Sequence, residues 1–262
     1  MKIRSLQFVV LAGLSLVLLS ACGYGERLRV GDQRHDYEVI ELGALDAPQV
    51  RIEMGAGKLF VAGGAEQLME ADFIYNVAAL EPEIRIDDRR LSILTPETRV
   101  SFGSLFDLDD YRNDWDLRFN DDVPMDLDIG LGLGQASLNL GSLNVERLDI
   151  DGGAGDLDLS LVGSSLQRFT FDAGLGNVRV DLSGAWSQDL DVRIESGVGE
   201  ITLILPRSAD LSVEVDGGIV DLNAEEFALS NGVYTSEAPP GAATIDIRID
   251  AGVGEINLLL AD

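Results

Sequence analysis

Few side chains in this chain could perform acid–base or nucleophilic chemistry. His35 is the one histidine and Cys22 the one cysteine among 262 residues, so neither has a second imidazole or thiol with which to form a nucleophile pair or a zinc site. Carboxylates are abundant, but a chain with 46 acids against 19 bases contains acid pairs by chance, and none stands out as a glycosidase pair. His35 lies in a polar stretch and is expected to have a surface or linker role. The sequence therefore predicts no catalytic residues, no cofactor and no enzyme activity.

Cys22 ends a segment with the features of a secretion signal. Lys2 and Arg4 provide a basic start, and an apolar run follows over Phe8–Leu19. That run suits a signal peptide and is shorter than the roughly 20 residues needed to span a membrane. Leu19-Ser20-Ala21-Cys22 resembles a bacterial lipobox, in which the cysteine is lipidated and becomes the mature N-terminus. The resemblance implies that lipid attached to Cys22 anchors the protein; an ordinary signal with a chance cysteine is the alternative.

The residue after the cysteine bears on which membrane holds the anchor. Gly23 occupies the position where an Asp would resemble the inner-membrane retention signal of Gram-negative bacteria. We therefore expect an envelope location, and the outer membrane if the organism is Gram-negative. Several acyl chains on Cys22 would anchor the protein stably.

The net charge limits the choice of partners. Removing residues 1–21 removes two bases and no acid, which changes the net charge from −27 to −29. Nucleic-acid binding depends on cationic contacts to phosphate, so this charge argues against it. It also argues against adhesion to bare anionic lipid. The charge favours cations, cationic peptides or basic surfaces. A saline habitat is the other explanation for the acidity.

The densest acidic stretch is a candidate cation site. Asp107–Asp116 reads DLDDYRNDWD, with Asp121 and Asp122 shortly after it. Oxygen-rich ligands suit Ca²⁺, but the stretch lacks the glycine and terminal Glu of an EF-hand at their proper spacing. Gly152–Asp156 is only faintly similar to the Ca²⁺-binding nonapeptide repeat. The sequence thus predicts no specific metal site and favours a solvated acidic loop.

Two distant segments are near copies, which indicates a repeat architecture. Asp191–Leu205 reads DVRIESGVGEITLIL and Asp246–Leu260 reads DIRIDAGVGEINLLL, identical at 10 of 15 positions. Apolar and polar residues alternate on both sides of each Gly-x-Gly, which predicts two strands joined at the glycines. Each Gly-x-Gly is weak as a dinucleotide motif, because none opens a helix in a βαβ unit. Apolar residues also recur at a constant step of 21, namely Leu127, Leu148, Phe169, Leu190 and Leu211.

A unit of two short strands cannot bury its apolar face alone, so the units must stack. The predicted fold is all-β: a repetitive β-solenoid-like stack of about seven strand–GxG–strand units with a 21-residue period. The predicted organisation is a lipoprotein signal peptide at 1–21, a tether and N-terminal segment at 22–47, and a single β-repeat domain at 48–262. Inserts interrupt this domain at about 63–124 and 223–244.

The predicted register places particular charges beside each other. Asp172, Arg193 and Glu214 should form one column of alternating sign. Asp128 and Asp149 should lie side by side with like charge. An open end of the stack exposes strand edges, which invite self-association unless they are capped. The first insert is a candidate cap. A homo-oligomer formed through the last unit is one expected arrangement.

Several stretches together resemble the toast-rack family. The match rests on strand and glycine patterning and on the Leu-x-Glu-Ala-x-Phe-x-Tyr-Asn segment, and covers roughly residues 48–262; the stretches are Val50–Ala65, Leu68–Asn76, Pro82, Trp115–Asn120, Val123–Ile129 and Gly152–Leu161. The resemblance implies a bacterial envelope β-repeat domain, as in LiaF-like proteins and adhesin-type proteins. It supplies no catalytic residues to carry over. This chain differs from LiaF-like members because it has a lipobox in place of several membrane helices.

The leading expectation is a non-enzymatic envelope lipoprotein that serves as an acidic binding, adhesion or scaffold module. Its expected partners are the membrane, through the lipidated N-terminus, and envelope proteins, glycans or cationic peptides. The alternatives are an accessory regulator of cell-envelope stress signalling and a carbohydrate-active β-helix enzyme; the enzyme is disfavoured because basic residues are sparse and scattered. Four aromatic residues could stack on sugars or, more commonly, pack an insert against a core: Trp115, Phe119, Trp186 and Tyr234.

Overall fold

The structure is a computed structural model and describes residues 29–96 and 110–261. Fifteen strands of these residues form one hydrogen-bonded sheet, accompanied by a short 3-10 helix at Ala78–Leu80. The prediction of an all-β protein is therefore confirmed. The strands are β1 (Arg34–Ile40), β2 (Gln49–Ala62), β3 (Met69–Tyr75), β4 (Glu83–Asp87), β5 (Arg90–Leu94), β6 (Asn113–Phe119), β7 (Met125–Asn139), β8 (Val145–Ser160), β9 (Arg168–Leu175), β10 (Val178–Asp181), β11 (Leu190–Pro206), β12 (Asp210–Asn223), β13 (Ala228–Ser230), β14 (Val233–Thr235) and β15 (Thr244–Ala261).

Each long strand continues through its glycine bend, with a first leg before the glycines and a second leg after them. In β8 the first leg buries Leu148 and Ile150 and the second buries Leu157 and Leu159, with exposed acids between them. This is the alternation expected of a strand with one solvated face. The buried side chains of both legs belong to one hydrophobic core cluster, so the same sequence pattern builds both walls of the core.

Parallel pairing in register places equivalent residues of neighbouring strands side by side. Leu127 pairs with Leu148, and Leu148 with Phe169, as the 21-residue step predicts. The next step is two positions longer, since Phe169 pairs with Val192. The prediction that Leu190 lies beside Phe169 was therefore wrong. The additional positions lie in the connection between β10 and β11, which also carries the buried Trp186.

The order of strands in the sheet differs from their order in the chain. β15 lies between β11 and β12, so Leu190 pairs with Ile245 and Ile245 with Leu211. The two near-identical segments are therefore direct neighbours. The expectation that the last unit forms the end of the stack was wrong, because the connection through β13 and β14 lets the chain return and insert its final strand.

The parallel strands run from β2 at one end to β12 at the other, and further strands cover these two ends to different extents. The first leg of β2 pairs with β5 and its second leg with β6, which continues to β3 and β1. The insert after the first unit thus covers both legs, as expected of a cap. At the other end β14 pairs with β12 only at Ser212–Glu214, and the second leg of β12 pairs only with β15 among the described residues.

The glycine bends bring neighbouring backbones into direct contact. A Cβ placed on Gly155 would lie 1.8 Å from the carbonyl oxygen of Gly134, and Gly155 has a φ of +150°. Only glycine fits both the space and the backbone conformation. The bends therefore stack as a continuous ridge along one side of the molecule. Within the described ranges, no helix is both long and apolar enough to cross a membrane.

Candidate binding surface at the glycine bends

Of the two side chains with reactive groups, the structure describes His35 but not Cys22. Cys22 lies outside the described residues, so its lipidation stays a prediction. His35 is an exposed residue of β1, and its Nε2 lies 2.8 Å from Oδ1 of Asp72 on the neighbouring strand β3. Its surface position agrees with the sequence-based prediction, and its partner is an exposed carboxylate on a sheet face.

Three of the four candidate sugar-stacking aromatics belong to the core instead. Trp115 and Phe119 are almost fully buried, and the ring of Trp115 meets Phe73 edge-to-face at 5.5 Å. Trp186 is 9% exposed, and its Nε1 donates a hydrogen bond of 2.7 Å to the carbonyl oxygen of Leu182. The hypothesis that these three rings stack on sugars was wrong, and the alternative that they pack in the core is confirmed.

The acidic stretch becomes a strand from Asn113 onward, after a turn at Asp110. Asp114 and Asp116 lie on β6. Arg112, just before the strand, forms an ion pair with Asp114 at 2.7 Å, and Arg118 forms one with Asp116 at 3.4 Å. This corrects the expectation of a solvated loop for that part of the stretch. Among residues 29–96 and 110–261, no group of three or more His, Cys, Asp and Glu residues could hold a metal ion.

The insert closes the first glycine bend. Asn113 Nδ2 and Tyr111 Oη both donate hydrogen bonds to the carbonyl oxygen of Ala56, at 2.7 and 2.8 Å. Asn113 Oδ1 in turn accepts a hydrogen bond of 2.9 Å from Trp115 Nε1. Burial raises the pKa of Tyr111 to about 12, so its hydroxyl stays protonated and able to donate. Ala56 is consequently buried. The middle residues of the next two bends, Leu133 and Ala154, are half-buried, and exposed ones begin at Leu175.

The later bends expose an apolar column, which we call the bend crest. Its members are the middle residues of successive bends and pair in register: Leu133, Ala154, Leu175, Val198, Val253 and Ile219. The first two members are half-buried and the other four are exposed, with Leu175 at 54% and Ile219 at 76%. A single exposed apolar residue needs no explanation, but a contiguous exposed column is typical of an interaction surface.

Acidic residues form a column on each side of the bend crest. The first-leg acid column lies three positions before each middle residue and comprises Asp151, Asp172, Glu195, Asp250 and Asp216. The second-leg acid column lies two positions after it and comprises Asp156, Glu200, Glu255 and Asp221, with Asn177 next to Asp156. Sequence analysis missed this arrangement, because it requires the true order and register of the strands.

Burial and neighbouring carboxylates together act on one member of the first-leg acid column, Asp151. The pKa of Asp151 is raised, first by burial and then by the carboxylates of Asp128 and Asp172. Arg193 pairs with Glu195 at 2.8 Å, whereas Asp172 has no ion-pair partner among the described residues. Acids therefore outnumber their ion-pair partners in this column within the described part of the chain.

The predicted column of alternating charge was wrong. Asp172 pairs with Glu195, because the step to β11 is longer than the repeat period. Arg193 lies opposite Arg248 in the strand register, because β15 lies between β11 and β12. Arg248, and not Arg193, forms the ion pair with Glu214, at 2.8 Å. The like-charged pair of Asp128 and Asp149 is confirmed.

These features define an all-β repeat domain with a ridge of glycine bends. The family model for the N-terminal domain of toast_rack, DUF2154, matches residues 29–172 and 153–204. The chain belongs to this family. No curated protein matches the chain significantly.

The chain is similar to solved structures of other bacterial proteins. The crystal structure of a candidate cell adhesion protein from Clostridium sporogenes is 27% identical, with a TM-score of 0.64; the match covers 88% of this chain and 100% of that chain. A candidate adhesin from Bacteroides fragilis is 12% identical, with a TM-score of 0.40, over 87% of this chain and 97% of that one.

Proposed function

We propose that the protein is a non-enzymatic binding module of the bacterial cell envelope, with a solenoid-like stack of units as its rigid support. The observation that carries the proposal is the bend crest, an exposed apolar column lying between two acid columns. The Clostridium sporogenes protein, named as a candidate adhesion protein, supports a binding role because it shares this fold over its whole length.

The proposed location rests on the N-terminal signal. Lipid on Cys22 would hold the domain at a membrane surface, in the outer membrane if the organism is Gram-negative. The acid columns would then repel the anionic headgroups around the anchor. The domain would consequently face away from the lipid and present its crest to other components of the envelope.

Photo-crosslinking in the native envelope tests the proposal. A photoreactive amino acid at Val253 samples the bend crest, and the matched control carries it at Val162, which is 40% exposed and lies in the connection between β8 and β9. We expect envelope proteins or glycans to be captured at Val253 and not at Val162. The identity of the captured molecule separates a regulatory accessory, linked to signalling proteins, from an adhesive module.

Two results would contradict the proposal. One is equal capture at Val253 and Val162, which would show that the crest has no special role. The other is cleavage of envelope polysaccharide by the purified protein, which would make the protein an enzyme.

A further inference from the structure

We propose that the bend crest binds an amphipathic cationic helix lying along the direction in which the strands stack. This deepens the proposed function, on which it rests, by naming the class of partner. The apolar face of the helix would cover the crest, and its lysines and arginines would reach the acid columns on both sides.

The length of the crest suits a helix of moderate size. Neighbouring strands of a sheet lie about 4.8 Å apart, so the six positions from Leu133 to Ile219 extend over about 24 Å. A helix rises about 1.5 Å per residue, so about 16 residues cover that length. The crest is most exposed at the β12 end, where Ile219 projects, and closed at the other end by Tyr111 and Asn113.

The repeat distances also favour a helix over an extended strand. One helical turn rises about 5.4 Å, close to the spacing of about 4.8 Å between neighbouring bends, so each turn can place one apolar residue on each bend. The mismatch is about 0.6 Å per step, so it accumulates to about 1.8 Å over four bends and about 3 Å over all six. Side chains on one face of a strand repeat every two residues, or about 6.6 Å, and such a strand would lose register with the bends after two or three of them.

The charges specify the sign of the partner. Three neighbouring units repeat the same acid–apolar–acid order across the ridge: Glu195, Val198 and Glu200 in β11; Asp250, Val253 and Glu255 in β15; Asp216, Ile219 and Asp221 in β12. A bound helix therefore needs basic residues on both flanks of its apolar stripe. A second copy of the crest would bring like charges together, so the columns oppose self-association through this surface.

A peptide-binding experiment tests this inference. The full chain is placed in nanodiscs of zwitterionic phosphatidylcholine, and a fluorescent peptide of about 18 residues, built from Leu and Lys with one apolar face, is titrated while its anisotropy is measured. Empty nanodiscs correct for binding to lipid. We expect saturable binding that weakens with added salt, because the flanking contacts are ionic and solvent-exposed.

Matched variants separate site binding from general attraction. D250N/E255Q removes two charges beside the crest, and D191N/D246N removes two exposed charges from the outer face of the first legs. We expect the first variant to weaken binding at least tenfold and the second less than threefold. V198S/V253S, which keeps every charge, should also weaken binding at least tenfold.

Three results would overturn the inference. Equal effects of the two charge variants would show attraction to net charge alone. Equal binding of a scrambled peptide with the same charge but no apolar face would remove the role of the crest. Dimerisation of the chain through the crest would make a second copy the occupant. If the peptide fails to bind while Val253 still captures a glycan, this inference fails and the proposed function stands.

Discussion

Replacing Gly155 by alanine tests the close contact of neighbouring bends. The added Cβ would lie 1.8 Å from the carbonyl oxygen of Gly134, and the contact is with backbone, which cannot rotate away as a side chain can. The φ of +150° is also unfavourable for alanine. Gly152, in the same bend, offers a matched control: its added Cβ would meet the Cβ of Ala173 at 3.6 Å, an ordinary van der Waals distance.

The magnitude follows from two terms. Holding a residue other than glycine in a sparsely populated backbone region costs about 1–3 kcal/mol, and forcing extra volume into a packed site costs about 1–3 kcal/mol. We therefore expect Gly155→Ala to lower the free energy of unfolding by about 2–6 kcal/mol. Gly152→Ala should change it by less than about 1 kcal/mol, since alanine also restricts the unfolded chain.

Urea unfolding followed by tryptophan fluorescence measures both variants, because Trp115 and Trp186 are buried in the folded protein. The expected result is a much lower midpoint for Gly155→Ala and a midpoint close to that of the parent for Gly152→Ala. Equal midpoints for the two variants would refute the claim that the bends are in backbone contact.

Three further predictions concern the acid column, the cap and the anchor. Asp151→Asn should raise the free energy of unfolding by about 0.2–1 kcal/mol at pH 7. Folding raises the pKa of Asp151 above 3.8, so the ionised carboxyl destabilises the folded state. The parent protein recovers that stability as the pH falls through the raised pKa. The advantage of the variant should therefore vanish in urea titrations at pH 3. Trp115→Ala should cost about 3–5 kcal/mol in thermal unfolding, because a fully buried ring is lost. Cys22→Ser should abolish labelling by a palmitate analogue and release the protein from the membrane fraction.

The sequence was sufficient to predict the strands and part of their register. Alternation around the glycines determines which side chains of β8 are buried, because a strand exposes every second residue. The coincidence of Leu190 with the 21-residue step was misleading. The step from Gly174 to Gly197 is two positions longer than the repeat period and corresponds to the observed register, since the glycines are the positions at which the backbones touch.

The position of β15 required the three-dimensional structure. Alternation shows that a strand has one buried face, but it does not show which strand lies beside it. The near identity of Asp191–Leu205 and Asp246–Leu260 indicated similar environments, and the structure shows that the two segments are adjacent. The bend crest depends on that order, because without β15 the column from Val198 to Ile219 would be interrupted.

Alternation was also insufficient to predict the exposure of the bends. The middle residue of a Gly-x-Gly lies where the two legs meet, and its burial depends on what covers the ridge. Ala56 is buried because Tyr111 and Asn113 lie over it, whereas Leu175 is half exposed. That difference arises from the insert, whose packing on the first bend has no local signal in the sequence.

Disulfide trapping tests most directly the claim that the bends form one continuous crest with β15 in its middle. In a Cys22→Ser background, V198C/V253C and V253C/I219C join paired positions of neighbouring strands, at a separation of about 4.8 Å that permits a disulfide. V198C/I219C joins positions two strands apart, at about 9.6 Å, which is too far. Rapid oxidation of the first two pairs and none of the third is the predicted result, and efficient oxidation of V198C/I219C would contradict it.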